Sequence, residues 1–486
     1  METLSSLKFP TFLLFAWLTL VLCGPYISMD GLPLRLDHFL FPSAGVLILI
    51  WLLWKQKSFC VSKPLVFFSV FVGFVFISTA LVFKNPEFYF KRISLLADLE
   101  NHLRIALILW ICAAFSRIYE ISVPSLLKAL FWVCVLLAFF AVLQVWQKPD
   151  AIQPFYQAVK KFSVDWYSGR HSRGINLVEC CVGYRAVSTF YHPGNLALFC
   201  VLVGSIYLLV KDRLGLHPLI YWGGLFVIWL GAAQTLSKGF LGGIFFLGMY
   251  LLLHRRWVHF VRFTILILMV FGASFRLSDN VTILFMKYFK NTTMIGIYNL
   301  ALGPRFGCIE NPPLLQNQSI SITEPQTFTK PQVLSAFTSA SAHTLEVPKK
   351  IWGEGYLSDS MKVIKTHPWF GVGYVSNVSA GDSMVVHLLV RGGILGSALF
   401  TFFLVMMAMQ VWKKRNLKDP QDICIRESWI LCASFFFISG IAFPTFIQDR
   451  TGDLFWWIGG LLAVTGNVGN GEKVKRREMG KLGNLF

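Results

Sequence analysis

Apolar runs long enough to cross the hydrocarbon core of a bilayer recur along nearly the whole chain, and no other feature restricts its fold as severely. Such a crossing takes roughly 20 residues of helix. Twelve runs meet or approach that length, near residues 10–24, 39–54, 65–83, 103–118, 126–146, 194–210, 218–235, 239–253, 259–275, 384–412, 428–445 and 453–467. They are continuous rather than alternating, which selects helices over a β-barrel, and a helix satisfies its own backbone groups in lipid. The chain has 486 residues, of which 55% are hydrophobic and only 14% charged, and its mean hydropathy is +0.60. That leaves too little polar surface for a soluble domain. The expected fold is an all-α integral membrane protein with about twelve transmembrane helices. The first run ends in Cys23-Gly24-Pro25 without a small-x-small cleavage pattern, so it reads as a retained span.

Charge fixes the expected orientation. Lys and Arg collect in short loops on the cytoplasmic side. With the N-terminus inside, Lys55, Lys57, Lys63, Lys211, Arg213, Arg255, Arg256, "KKRNLKD" from Lys413 and "KVKRRE" from Lys473 all fall on that side. The net charge of +19 is then an orientation and anionic-lipid signal, and a nucleic-acid partner is not implied. Four stretches result. Residues 1–193 hold the first helices and a first periplasmic loop, 194–275 the central helices, 276–383 a large periplasmic loop, and 384–486 the last helices with a basic cytoplasmic tail. The two long outer segments are where a site is expected. Within the larger one, residues 311–343 are rich in Ser, Thr, Gln and Pro and carry no assignable chemistry.

Half of the ten cysteines lie inside spans, where a thiol behaves as a small apolar group. Cys180, Cys181 and Cys308 fall on the outer face. One of the adjacent pair bridging to Cys308, or three free thiols, are both open readings. No CxxC or HExxH pattern is present, so no metal and no cofactor is expected.

Ionisable groups at the ends of spans are functional candidates, because each costs several kcal/mol at bilayer depth without a partner. In "RAVSTFYHPGNLALF" Arg185 and His192 precede a span that Pro193 starts. The guanidinium fork suits a phosphate at the interface, although an arginine there also snorkels to headgroups. Lys238 in "QTLSKGFLGG" reads as a second phosphate contact or as a plain turn lysine. In "MKVIKTHPWFGVGY" residues 361–367 have helical character, His367 and Pro368 end that helix, and Gly371 and Gly373 turn the chain back. Asp382 follows immediately before the long run from 384. It suits a general base for a hydroxyl, or an N-cap, or both. His387 and Arg391, four residues apart, share a helix face expected to point into the bundle. No inverted pair of interrupted helices is visible, which weighs against a transporter.

Together these pieces resemble the O-antigen ligase and O-antigen polymerase superfamily of bacterial envelope proteins. The resemblance covers most of the chain, through "LPLRLDHFLFP" from Leu32, "RAVSTFYHPGNLA", "TLSKGFLGG", and "MKVIKTHPWFGVGY" followed by "DSMVVHLLVRGGILG". It implies a GT-C-like glycosyltransferase of the bacterial inner membrane, with both termini cytoplasmic and a periplasmic site. Its substrate is an undecaprenyl-diphosphate-linked oligosaccharide, its surroundings membrane lipids, and its companions a chain-length regulator and a flippase. Under this resemblance Arg185 contacts the diphosphate with support from Lys238, and Asp382 orients the acceptor. Ligases usually carry His-Asn where Asp382-Ser383 stands here, and this departure favours a polymerase. The family's arginine before the "hPllGvG" element is missing, and Arg305, Lys349 and Lys350 are the candidates for that contact. A ligase is the alternative within the family, and a flippase of lipid-linked sugars the alternative outside it.

Overall fold

The computed structural model describes residues 9–23, 26–29, 32–55, 63–82, 97–118, 123–146, 177–179, 184–186, 188, 193–211, 214–235, 237–277, 356–374, 383–413, 420–440, 446 and 451–464. These residues form helices α1 (Phe9–Cys23), α2 (Leu36–Lys55), α3 (Lys63–Val82), α4 (Ala97–Ile118), α5 (Val123–Trp146), α6 (Pro193–Val210) and α7 (Pro218–Ala233). They continue with α8 (Lys238–Leu253), α9 (Trp257–Leu277), α10 (Tyr356–Thr366), α11 (Met384–Lys413), α12 (Pro420–Ser439) and α13 (Thr451–Val464). Two short antiparallel hairpins accompany them: β1 (Tyr26–Met29) with β2 (Leu32–Arg35), and β3 (Leu177–Glu179) with β4 (Tyr184–Ala186).

A helix occupies each of the twelve apolar runs. Among the described residues α3, α5, α9 and α11 are long and apolar enough to cross a membrane, and shorter apolar helices surround them. Several boundaries differ from the sequence expectation, and α4 begins at Ala97 rather than 103. Helix α12 covers Pro420–Ser439 rather than 428–445, because the polar turn "PQDICIRES" is helical as well. Helix α10 begins five residues before 361.

The most extensive helix pairs are α4 with α13, α5 with α7, α3 with α11, and α6 with α7. In lipid there is no hydrophobic force between helices, so close packing of shapes must hold them. Glycine supplies that closeness. A Cβ on Gly460 of α13 would meet the Leu109 carbonyl of α4 at 3.0 Å, and one on Gly243 of α8 would meet Val201 of α6 at 2.4 Å. On Gly231 of α7 it would lie 3.0 Å from both the Cα and the carbonyl oxygen of Ala138 in α5. Backbone atoms cannot swing aside. Gly231→Ala should therefore lower stability by about 1–3 kcal/mol, whereas Gly272→Ala, whose added methyl meets nothing within 4 Å, should cost almost nothing. Cys112, Cys134, Cys200, Cys424 and Cys432 are buried thiols outside any disulfide, so a fluorogenic maleimide reports unfolding in detergent as these thiols emerge.

Between α3, α11, α12 and α13 lies an aromatic floor. Phe68 meets Phe403 at 4.7 Å, Phe436 meets Phe455 at 5.0 Å, and Phe446 meets Phe455 at 5.2 Å. The Trp456 indole N–H donates to the Phe446 carbonyl at 2.6 Å, which satisfies its polar edge inside this apolar layer.

The long run from 384 is not one uninterrupted helix. Gly393 has φ 60° and ψ −161°, a non-helical conformation that splits α11. The groups released at the break are taken up by the turn after α10. Val372 and Gly373 N–H donate to the Val390 and Arg391 carbonyls at 2.8 and 2.9 Å, and Ile394 and Leu395 N–H donate to Pro368 and Trp369 at 2.8 and 3.2 Å. Backbone at this depth requires such replacement partners. The glycines in "GVG" and "RGG" thus do more than turn the chain. They let two backbones touch.

Candidate functional site

Buried polar side chains crowd one end of the bundle. That end gathers the start of α4, the end of α7, and the starts of α11 and α13. Gln234 donates to Ser274 at 3.2 Å between the ends of α7 and α9, and Thr451 donates to the Asn195 carbonyl at 3.5 Å between the starts of α13 and α6. Met384 N–H donates to the Gly440 carbonyl at 2.8 Å, which docks the start of α11 on the end of α12. The opposite end carries the half-exposed pair Arg256–Glu427 at 3.2 Å.

The first turns of α4, "ADLENHLR", place His102 and Arg104 inside the bundle, each 1% exposed. The Arg104 Nε–H donates to Asp453 Oδ1 at 3.0 Å, and Asp453 is itself 5% exposed. Asp453 stands in the first turn of α13, where unpaired backbone N–H groups and the helix dipole favour a carboxylate. The pair therefore has electrostatic support from both sides in apolar surroundings.

His102, two residues before Arg104, belongs to a second buried group. Its ring meets Tyr374 edge-on at 4.5 Å and Phe71 at 5.8 Å. Tyr374 is fully buried and can lie there because Gly392 has no side chain: a Cβ would come 2.8 Å from the phenol oxygen. One residue before the tyrosine, the Gly373 carbonyl accepts from Arg391 Nη1 at 3.5 Å. The result is a stripe of buried groups in two parts: Asp453 with Arg104, and His102, Tyr374, Gly373 and Arg391 linked in turn. His387 lies one turn before Arg391, and both are buried, at 5% and 6% exposure.

A cavity of about 20 Å³ adjoins the stripe between α1, α4, α5 and α13, with Thr19, Asp453 and Trp457 in its wall. That is room for about one water. Among the described residues no three His, Cys, Asp or Glu side chains gather as metal ligands would.

The sequence candidates divide sharply. His387 and Arg391 are buried inside the bundle as their spacing implied, and Arg391 meets the Gly373 carbonyl of the turn after α10. His367 is half-buried at the end of α10, where its carbonyl accepts from Gly371 N–H at 3.1 Å. Lys238 is not on a turn but is the first residue of α8, behind the N-cap Ser237, whose side chain accepts from Gly239 N–H. The Arg185 backbone lies in β4 opposite Val178, and the nearby Ser188 hydroxyl donates to the Leu137 carbonyl of α5 at 2.8 Å. The side chains of Arg185 and Lys238, together with His192, Arg305, Asp382 and the cysteines Cys180, Cys181 and Cys308, lie outside the described residues.

Buried ionisable groups also occur in helices outside the two long outer segments where a site is expected. His102, Arg104 and Asp453 belong to helices and Tyr374 to the turn that fills the break in α11, and sequence reasoning passed over all four. A signal existed in "NHLRIALILW" and "DRTGDLFWW", where charges open apolar runs.

Fold and site together define a helical membrane protein with ionisable groups buried at one end of its bundle. No protein-family model matches the chain, and no curated protein matches it.

Proposed function

We propose that this chain is a membrane glycosyltransferase of about twelve spans that polymerises undecaprenyl-diphosphate-linked repeat units on the periplasmic face of a bacterial inner membrane. The observation that carries the reading is the burial of Arg391 and His387 on the inward face of α11, at the end where Arg104, His102 and Asp453 are buried too. Ionisable side chains held inside a membrane helix bundle mark a substrate or ion path. Transfer of a glycan from a polyprenyl diphosphate needs cations for the charge growing on the leaving diphosphate and an acceptor for the proton of the attacking hydroxyl. Arg391 joins Arg185 and Lys238 as a diphosphate contact in this reading, and Asp382 orients the hydroxyl. A ligase would use the same groups. The break in α11 favours a different class, a flippase, since interrupted helices build many carrier sites.

Glycan banding on a deletion strain separates the three. One repeat retained on the lipid core means polymerase, a bare core with lipid-linked polymer accumulating means ligase, and loss of periplasmic lipid-linked units means export. Within the enzyme readings, Arg391→Ala should reduce transfer about 10²–10³-fold with the protein still in the membrane. Arg391→Lys should recover only part of that, because an ammonium lacks the planar fork. Wild-type banding in Arg391→Ala would remove it from the site.

A further inference from the structure

The turn that fills the break in α11 faces two ways, and its outward side has no role in the stripe. Gly371, at φ 65°, reverses the chain after α10, and its Cβ would fall 2.5 Å from the Val390 carbonyl oxygen. The turn is therefore pressed against the shaft of α11 and not set on its tip. Gly393 lies nine residues past Met384, about 14 Å along the axis at 1.5 Å per residue. At that level Trp369 is 60% and Phe370 44% exposed. Ile394 and Leu395 of α11 and Phe76 and Ile77 of α3 are exposed large apolar residues as well. Phe370 stacks on Phe74 of α3 at 6.0 Å with its ring nearly parallel, which joins the two helix surfaces into one apolar face.

We infer that residues 368–371 form a re-entrant turn seated in the bilayer leaflet at the polar end of the bundle, with Trp369 and Phe370 against phospholipid. Three features fit that occupant. The face is continuous with the apolar flank of α11, a helix long and apolar enough to cross a membrane. The four backbone bonds between 368–373 and 390–395 remove polar backbone groups that lipid would penalise, and Pro368 brings no N–H to satisfy. Lys362 and Lys365 are exposed on α10 just before the turn, where anionic headgroups would meet them.

The test uses the full-length protein in vesicles of phosphatidylethanolamine and phosphatidylglycerol. Photoreactive p-benzoylphenylalanine replaces Trp369, Phe370 or, for comparison, Lys365, which is exposed on α10. After irradiation, intact-mass spectrometry should find phospholipid adducts at 369 and 370 in several-fold excess over 365. Positions 369 and 370 are read independently, so one folded variant decides the matter. Adduct yields at 369 and 370 no higher than at 365, or capture of another segment of the chain in place of lipid, would overturn the assignment. Glycan-transfer activity does not enter the readout, so this result stands apart from the proposed reaction.

Discussion

Arg104→Ala is expected to lower stability by about 3–5 kcal/mol, the cost of stranding one partner of a buried ion pair. The carboxylate left behind at Asp453, 5% exposed in the native protein, would lose the guanidinium that faces it while keeping the N-terminal turn of α13 beside it. Asp453→Asn should be nearly as damaging, because it leaves the Arg104 guanidinium at 1% exposure facing a neutral amide. Removing both charges gives a different result. Arg104→Met with Asp453→Leu replaces the pair by apolar groups of similar size and should bring stability back to within about 1–2 kcal/mol of wild type, since paired charges in an apolar interior roughly break even against a packed isostere. Maleimide-detected melting of the two single variants and the double one measures this cycle. Activity should not recover with stability. The double variant keeps the α4–α13 contact but loses the charges, so a folded, fully active double variant would reduce the pair to a structural clasp, while a folded, inactive one places it in the chemistry.

Gly393→Ala comes second in expected effect. Its backbone, at φ 60° and ψ −161°, lies where an L side chain is strained, which costs about 1–3 kcal/mol. The added methyl would also sit 2.5 Å from the carbonyl carbon and oxygen of Trp369 and 2.7 Å from the Gly371 nitrogen. These are backbone atoms held by their own hydrogen bonds, so relief means moving the turn away and breaking the Ile394–Pro368 and Leu395–Trp369 bonds. The summed loss is about 2–6 kcal/mol. Because Gly373 holds Arg391 and Tyr374 meets His102, displacement of the turn should lower activity even in detergents where the protein stays folded. Gly73→Ala in α3, whose methyl would meet nothing within 4 Å, is the matched control. A Gly393→Ala protein that melts with wild type would contradict the close approach of the two backbones.

The helices were legible because lipid leaves the backbone little choice. A run such as "VPSLLKALFWVCVLLAFFAVLQVW" must satisfy its N–H and C=O groups internally, and its composition alone places α5. Helix ends were less legible. The first eight residues of α12 mix polar residues with Ile423, Cys424 and Ile425 and are helical throughout, and hydropathy cannot mark that boundary. In α11 the pair Gly392-Gly393 reads equally well as a packing surface or as a break. Only the arrival of residues 368–373 alongside decides for the break, because it supplies the hydrogen bonds that an interrupted helix would otherwise lack.

The site was legible in part for a related reason. His387 and Arg391 lie four apart on one helix, so their shared face follows from helical geometry. Arg104 and Asp453 are 349 residues apart, and nothing local distinguishes either from an ordinary charge at a helix end. The sequence by itself determined which segments enter an apolar phase, how the basic loops are distributed, and which ionisable groups sit near helix ends. Tertiary structure alone decided which of those groups meet. Apolar helices gain nothing from water by choosing one neighbour over another in lipid, so their pairing rests on complementary shape, such as Gly460 against Leu109. That fit brings α13 beside α4 and Asp453 to Arg104.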